Sequence, residues 1–308
     1  MRNIVIAAST VTALCACAGG GGGGGSGPAP FAPVAVPFTS FAAVQANQRV
    51  TFPNGSGQSV NANGTLSGAN ITSVIVSPID TASTNGSMTY DGNKALNAFS
   101  VVTPGGSISF SRPADSIACT IGVCSATNAM AEALIIDGAN PTGGFNYQTF
   151  GSWDRAGTTT SFDVGVFSFG APTPGAAIPT VGNASFTGVA TGFFVNSSQA
   201  GFATTAPVSA NADFLNRTMS FATSGTTLVA FSNSAQTVDN AGNLSITGSF
   251  TWAPGVNALT SSNLSAPIGL NGGGKARFYG PNAQEVGGVY SLSGAAGQMV
   301  GSFGAKQP

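Results

Sequence analysis

The sequence predicts a mainly β protein, in which a sheet-rich N-terminal handle domain precedes a C-terminal antiparallel β-barrel of about eight strands. Three observations carry this prediction. The chain has 308 residues with 44 glycines and only 6% charged residues, which is typical of short strands joined by tight turns. Residues 245–252 alternate apolar and polar side chains, as a half-buried strand does. Asn-Gly and Asp-Gly pairs punctuate the chain, and such pairs favour hairpin turns.

Residues 1–17 have the pattern of an export signal, with Arg2 before a short apolar run. That run is shorter than the ~20 residues of a membrane-spanning helix. It ends in the sequence LCAC, which resembles the lipidation signal of bacterial lipoproteins. Cys17, preceded by Ala16, is the predicted lipidation (palmitate) site, and Cys15 fits the pattern less well. The alternative is an ordinary cleaved signal peptide.

Residues 18–37 are predicted to be a tether. A glycine run at 19–25 has no side chains with which to fold, and the prolines that follow it stiffen the next segment. A tether beside a lipidated cysteine holds a folded domain away from a membrane. By resemblance to lipoprotein sorting, Ala18 favours the outer membrane, with the protein facing either the cell surface or the periplasm.

Residues 38–144 are predicted to form the handle domain. Apolar runs at 71–76 and 96–102 have the length of strands. Residues 126–136 fit either a helix or a strand, because their apolar positions do not decide the period. The predicted turns are Asn54-Gly55, Asn63-Gly64, Asn85-Gly86, Asp91-Gly92 and Pro104-Gly105.

Cys119 and Cys124 lie close together in the sequence CTIGVC, and nearby cysteines of an exported protein usually pair. We therefore predict a disulfide between them. The loop contains no Lys, Arg or His that would lower a thiol pKa, so we expect a structural bridge rather than a redox centre.

Residues 145–308 are predicted to form the barrel. Its last three strands are expected within 275–280, 286–292 and 299–305. Because a chain that ends in strands leaves an open edge unless the sheet closes, these strands favour a barrel. The other strand candidates are 146–155, 160–169, 184–195, 208–214, 218–223, 227–232 and 245–252.

Several motifs of this region, in the same order, resemble the barrel domain of transferrin-binding protein B-like surface lipoproteins, a barrel type found also in factor H binding protein. The resemblance implies a handle domain followed by a barrel of about eight strands. Relatives bind transferrin, factor H, haemoglobin or haem through variable loops, so no ligand-binding residue is assigned here. The full transferrin binder has two lobes and this chain has room for one, which argues against transferrin itself. The motifs are YQTFGSW (147–153), SFTGVATG (185–192), ADF (212–214) with RTMSF (217–221), RFYGPNAQEVGGVYSL (277–292) and VGSFGAKQ (300–307).

Residue types that form catalytic and metal sites are scarce. The chain has no His, which is the commonest general base and metal ligand, so we predict no catalytic residue, no metal site and no cofactor. Glu132 and Glu285 are the only glutamates and show no paired-carboxylate motif. Nine Lys and Arg against ten Asp and Glu provide no basic patch for nucleic acid. These features argue against an enzyme and against a nucleic-acid-binding protein.

Three smaller patterns have ordinary structural interpretations. Asp91-Gly92-Asn93 lacks the further ligands of a calcium loop and is predicted to be a turn. Asp154-Arg155 and Asp163 are expected to form a surface ion pair near the barrel mouth. The four tyrosines are predicted to pack between strands rather than to ligate haem; they are Tyr90, Tyr147, Tyr279 and Tyr290.

The first functional hypothesis is a lipid-anchored, monomeric, non-catalytic binding module for a host protein, an iron or haem carrier, or a small solute. The alternative is a structural envelope lipoprotein with an inert barrel and no soluble ligand. An exposed aromatic cluster or an open cavity at one barrel end would favour binding. A uniformly polar surface would favour the structural hypothesis.

Overall fold

The computed structural model describes residues 33–67, 70–139, 144–156, 160–231, 233–238 and 241–308. These ranges contain strands but no α-helix, and three short 3-10 turns at Phe41–Ala43, Gly175–Ala177 and Gly242–Leu244. A helix that could cross a membrane is therefore absent from them. The strands are β1 (Val34–Pro37), β2 (Gln48–Phe52), β3 (Gln58–Ser67), β4 (Asn70–Val76), β5 (Asn85–Tyr90), β6 (Leu96–Thr103), β7 (Gly106–Ser111), β8 (Ser116–Thr120), β9 (Val123–Thr127), β10 (Ala131–Ile136), β11 (Gln148–Ala156), β12 (Ser161–Gly170), β13 (Asn183–Asn196), β14 (Gly201–Asp213), β15 (Thr218–Thr223), β16 (Thr227–Ala230), β17 (Asn233–Val238), β18 (Thr247–Thr251), β19 (Leu259–Ala266), β20 (Leu270–Tyr279), β21 (Glu285–Gly294) and β22 (Gly297–Lys306).

The C-terminal strands close into an antiparallel barrel of eight strands, in the order β13-β22-β21-β20-β19-β18-β15-β14, with β14 pairing back to β13. Closure leaves no open edge in the ring. Phenylalanines fill the interior, and the rings of Phe221 and Phe303 lie 4.7 Å apart. Tyr290 also points inward, against Gly301, where a Cβ would overlap its ring. The barrel therefore holds a packed core rather than a ligand cavity.

The N-terminal strands form a five-stranded sheet, β1-β2-β5-β6-β7, and a seven-stranded sheet, β4-β3-β12-β11-β10-β9-β8. The two sheets enclose a core in which Phe52 of the first sheet stacks on Phe169 of the second at 5.1 Å. The other face of the seven-stranded sheet packs on the outside of the barrel, where Val164 and Val166 meet Val289 and Val300. The central strand β12 of this sheet is thus buried on both faces.

The predicted barrel of about eight strands is confirmed, but some of its strands differ from those predicted. β11 and β12 cover the candidates 146–155 and 160–169, and both belong to the seven-stranded sheet. β16, at candidate 227–232, lies outside the ring and pairs with β14 and β17. β19 completes the ring and was not predicted, because a bulge between Ser261 and Leu264 interrupts its alternation.

Two further sequence interpretations are settled in the handle region. Residues 126–136 comprise the end of β9, a turn and β10, and not a helix. Asn54-Gly55, Asp91-Gly92 and Pro104-Gly105 lie at turns, but Asn63-Gly64 lies inside β3 and Asn85-Gly86 begins β5. Gly64 is needed there because the ring of Phe162 occupies the space of a Cβ. The division into domains at residue 144/145 stays a prediction.

Candidate functional site at one end of the barrel

Four loops meet at the end of the barrel where β20 ends and β21 begins. They span residues 171–182, 214–217, 252–258 and 280–284, and we call the surface that they form the apolar end. Several backbone contacts join these loops. Phe214 N donates to Gly182 O (3.0 Å), and Gly280 N donates to Ala171 O (2.9 Å). A Cβ at Gly175 would overlap the carbonyl oxygen of Gly255, so these two loops touch through their backbones.

The side-chain amide of Asn257 joins its own loop to the loop 171–182 and to the end of β20. Its Nδ2 donates to Thr173 O (2.8 Å) and to Phe278 O (2.7 Å), and its Oδ1 accepts from Phe278 N (2.8 Å). The β19–β20 ladder ends at Leu259, which lies opposite Ala276. Asn257 lies opposite Phe278 in the same register, so its side chain continues the ladder where the backbone leaves it.

Large apolar side chains are exposed on this surface. Val181 is 68% exposed, Leu215 is 61% exposed and Val256 is 47% exposed. Exposed prolines and alanines surround them; these are Pro172, Pro174, Ala176, Ala253, Pro254, Ala258 and Pro281.

An aromatic layer lies at this end of the barrel. Phe214, Trp252 and Phe278 contact one another, with ring centroids 5.2–6.1 Å apart. Aromatic rings at such distances pack edge to face or tilted, which adds to the free energy gained by their burial. Two of the loops of the apolar end are therefore joined to the barrel core, through Phe214 and Trp252.

Charge is nearly absent from the apolar end. Arg217 is the single ionisable residue in the sequences of its four loops. The adjoining Asp213 accepts hydrogen bonds from Asn216 N and Nδ2, and these bonds lower the pKa of its carboxyl. A surface of this kind can bind through apolar contacts and neutral hydrogen bonds, with little electrostatic steering.

The predicted ion pair exists, but in the seven-stranded sheet and not at the barrel mouth. Arg155 Nη2 lies 2.5 Å from Asp163 Oδ2. Asp154 is not part of this pair, because neighbouring residues of a strand point to opposite faces. It lies on the face of Ser152, which contacts Thr191 of the barrel.

Asp154 belongs instead to a carboxylate pair that the sequence analysis missed. Glu132 of β10 lies directly opposite Asp154 of β11, and Asp154 is 3% exposed with no hydrogen-bond partner for its Oδ1. Burial, with the charge of Glu132 beside it, raises the pKa of Asp154 well above its usual value. Only the strand pairing reveals the pair, since 21 residues separate the two positions in the sequence.

Glu285 joins the barrel to the start of β11. Its Oε1 accepts from Asn146 N at 2.5 Å and its Oε2 accepts from Tyr147 N at 3.1 Å. Burial raises the pKa of Glu285 to about 7, although these hydrogen bonds and the charge of Lys306 act in the opposite direction. The carboxyl therefore changes charge near neutral pH.

The other predicted residues have structural roles. Cys119 and Cys124 form the predicted disulfide. Their sulfurs and an oxygen of Asp137 lie within 4.8 Å of one another, but the disulfide uses both thiols that a metal ion would need. Asp91 forms a turn, since its Oδ1 accepts from Asn93 N and Ala95 N.

The tyrosines Tyr90, Tyr279 and Tyr290 are buried among core residues, whereas Tyr147 lies beside the Glu285 contact. Tyr90 donates to Asp137 Oδ1 at 2.8 Å, and Tyr279 Oη lies 3.2 Å from Ser168 Oγ. The predicted signal segment, the lipidation site at Cys17, the alternative Cys15 and most of the tether lie outside the described residues.

The sequence analysis did not identify Asn257, Val181 or Leu215. The available signal was weak: each lies in or beside a loop with Pro, Gly or Asn, which predicts a turn but not a shared surface.

A family model described as the C-lobe and N-lobe β-barrels of transferrin-binding protein B matches residues 178–307. That match begins just before β13, so it does not include the motif at 147–153. No protein of curated function matches the sequence.

Solved structures with detectable likeness include a transferrin-binding protein B mutant from Haemophilus parasuis, with 15% identity and a TM-score of 0.45, covering 80% of this chain and 45% of that one. Transferrin-binding protein B from Neisseria meningitidis has 14% identity and a TM-score of 0.39, covering 74% and 52%. The N-lobe of lactoferrin-binding protein B from Moraxella bovis has 14% identity and a TM-score of 0.37, covering 54% and 77%. The chain spans about half the length of the two transferrin-binding proteins. At these scores the likeness carries no information about a ligand.

Proposed function

Because the C-terminal barrel of this chain belongs to the transferrin-binding protein B-like family, we propose that the protein is a lipid-anchored surface lipoprotein that binds a host protein and has no catalytic activity. The observation that carries the proposal is the apolar end, where Val181, Leu215 and Val256 are exposed over an aromatic layer. Contiguous exposed apolar surface of this kind marks interaction sites in soluble proteins.

The chemistry of the apolar end indicates a protein partner rather than a small solute. The barrel interior is filled by its own side chains. The apolar end presents large aliphatic groups with prolines around them, and its loops contain Arg217 as their single charge. Apolar anchors on rigid loops suit a protein interface, because little conformational entropy is lost when they bind.

The anchor and the location are part of the same proposal. Lipidation at Cys17 would hold the barrel and the two N-terminal sheets at the outer membrane, and residues 18–37 would act as the spacer. A host protein such as an iron carrier would then be captured from the surroundings. The matching family model is named for transferrin binding, which makes transferrin the first partner to test, with lactoferrin and whole serum as further samples.

The test measures binding of the purified full chain to iron-loaded transferrin, to lactoferrin and to proteins of whole serum. A double variant, Val181→Asp with Leu215→Asp, places two charges on the apolar end. The matched control, Val34→Asp with Val102→Asp, changes exposed valines elsewhere, at 67% and 43% exposure.

We expect a saturable partner for the wild-type chain and for the control, and a loss of at least about tenfold in affinity for the double variant. Equal binding by all three proteins would refute the apolar end as the site. No partner in any of the three samples, from a protein shown to be folded, would favour the alternative of a structural envelope lipoprotein.

A further inference from the structure

β4 is an edge strand whose pairing with β3 is interrupted by one bulge, at Thr72, and is regular from Ser73 to Val76. It lies at one end of the seven-stranded sheet and pairs with β3 alone. Natural edge strands usually carry Lys or Pro, which prevent another strand from pairing with them. The sequence of β4, NITSVIV, contains neither, and Ile75 within it is 71% exposed. The regular part of β4, residues 73–76, is therefore a template to which a further strand can be added.

The side chain of Gln298 occupies part of the place of such a strand. Its Nε2 donates to Val74 O at 3.2 Å, so the carbonyl of Val74 points away from β3. The Oε1 of the same amide is buried and has no partner. A neighbouring strand would both donate to and accept from β4, whereas Gln298 makes only the first of these bonds. The unpaired Oε1 lowers the free energy gained from this contact.

A cleft of about 210 Å³ lies beside β4, and we call it the β4 cleft. Its far wall is formed by the turn after β13, with Asn196, Ser197 and Gln199, and by the turn after β21. None of its lining residues is ionisable; the hydrogen-bonding groups are neutral hydroxyls and amides above an apolar floor that includes Ile71 and Val195. The cleft is at the opposite end of the barrel from the apolar end.

We propose that the β4 cleft binds an extended, uncharged peptide segment, which pairs with β4 as an added strand. Main-chain hydrogen bonds to β4 supply the binding energy, and the polar wall favours small neutral side chains. A charged segment would lose its hydration without gaining an ionic partner. This site goes beyond the proposed function and does not depend on it.

The experiment titrates the full chain with an acetylated, amidated heptapeptide of alternating threonine and valine, and calorimetry measures the affinity. The same peptide with alternate amides N-methylated tests whether main-chain pairing is required, and maltohexaose tests for a neutral oligosaccharide. Thr72→Lys places a charge in the cleft. Ile75→Lys is the matched control, because Ile75 belongs to the same strand but does not line the cleft.

We expect saturable binding of the unmodified peptide, no binding of the methylated peptide, and a loss of about tenfold or more for Thr72→Lys with little change for Ile75→Lys. Amide exchange in residues 70–76 of the wild-type chain should slow when the peptide binds, which tests the site without a substitution. The proposal is overturned if the peptide does not bind at millimolar concentration, if both variants bind equally, or if maltohexaose binds in its place. Loss of the host partner by the apolar-end variant would leave all of these results unchanged.

Discussion

Asn257 offers the sharpest test of how the apolar end is held in place. Its side chain makes three hydrogen bonds, to Thr173 O, Phe278 O and Phe278 N, and replacement by Ala removes all of them. Each such bond contributes about 1 kcal/mol to the free energy of unfolding, so their sum is about 3 kcal/mol. The side chain is half-buried and water can replace part of the loss. We therefore expect Asn257→Ala to lower the free energy of unfolding by about 2 kcal/mol.

Asn257→Asp removes the amide donor of this side chain but keeps its acceptor oxygen. The aspartate still accepts from Phe278 N, but its second oxygen faces the carbonyl oxygens of Thr173 and Phe278 and repels them. We expect a loss at pH 7 at least equal to that of Asn257→Ala. Part of it should be recovered in acid, because protonation restores one donor.

Thermal unfolding followed by circular dichroism measures both changes, and a loss of about 2 kcal/mol corresponds to a fall in Tm of about 4–8 °C. Asn282→Ala is the matched control, an exposed asparagine in the neighbouring loop of the same surface. It should change the free energy of unfolding by less than about 0.5 kcal/mol. If Asn257→Ala unfolds like Asn282→Ala, the side chain of Asn257 does not hold these loops together.

Three other predictions concern charge, anchoring and covalent structure. The pKa of Glu285 is raised from 4.5 to about 7, so this carboxyl makes its full contribution to stability below about pH 4.5 and loses it as the pH rises to about 7, a change of about 3 kcal/mol. Chemical denaturation between pH 4 and 8 measures the free energy of unfolding of the wild-type chain and of Glu285→Gln. The difference between the two should show this slope, and the subtraction also removes the parallel contribution of Asp154. A difference that does not change with pH would contradict the assignment. Cys17→Ser should move the protein from the membrane fraction to the soluble fraction, and persistence in the membrane fraction would refute the lipid anchor. Peptide mapping without reductant should recover Cys119 linked to Cys124, and free thiols at these positions would show that the bridge is absent.

The strand pattern itself was readable from the sequence. The last three strands, at β20, β21 and β22, follow from alternation and from the Pro and Gly between them. The disulfide of Cys119 and Cys124 followed from short spacing in a chain predicted to be exported. These features depend on neighbouring residues, so the local sequence contains the required information.

The burial and pairing of the carboxylates could not be predicted from the sequence. Asp154 and Arg155 are adjacent, yet one faces the barrel and the other pairs with Asp163 on the opposite face. Glu132 meets Asp154 only because β10 pairs with β11. A pKa depends on burial and on neighbouring charges in space, and neither can be read from spacing along the chain.

By itself, the sequence determined the β class, most strand positions, the covalent bridge and the resemblance to a barrel family. The tertiary structure decided which strands close the ring, since alternation assigns side chains to faces but does not select pairing partners. β12 was predicted to be a barrel strand from its strand pattern, but it is apolar on both faces because it lies between the core of the two N-terminal sheets and the barrel wall. The apolar end and the β4 cleft likewise arise only where distant loops and an unpaired strand come together in space.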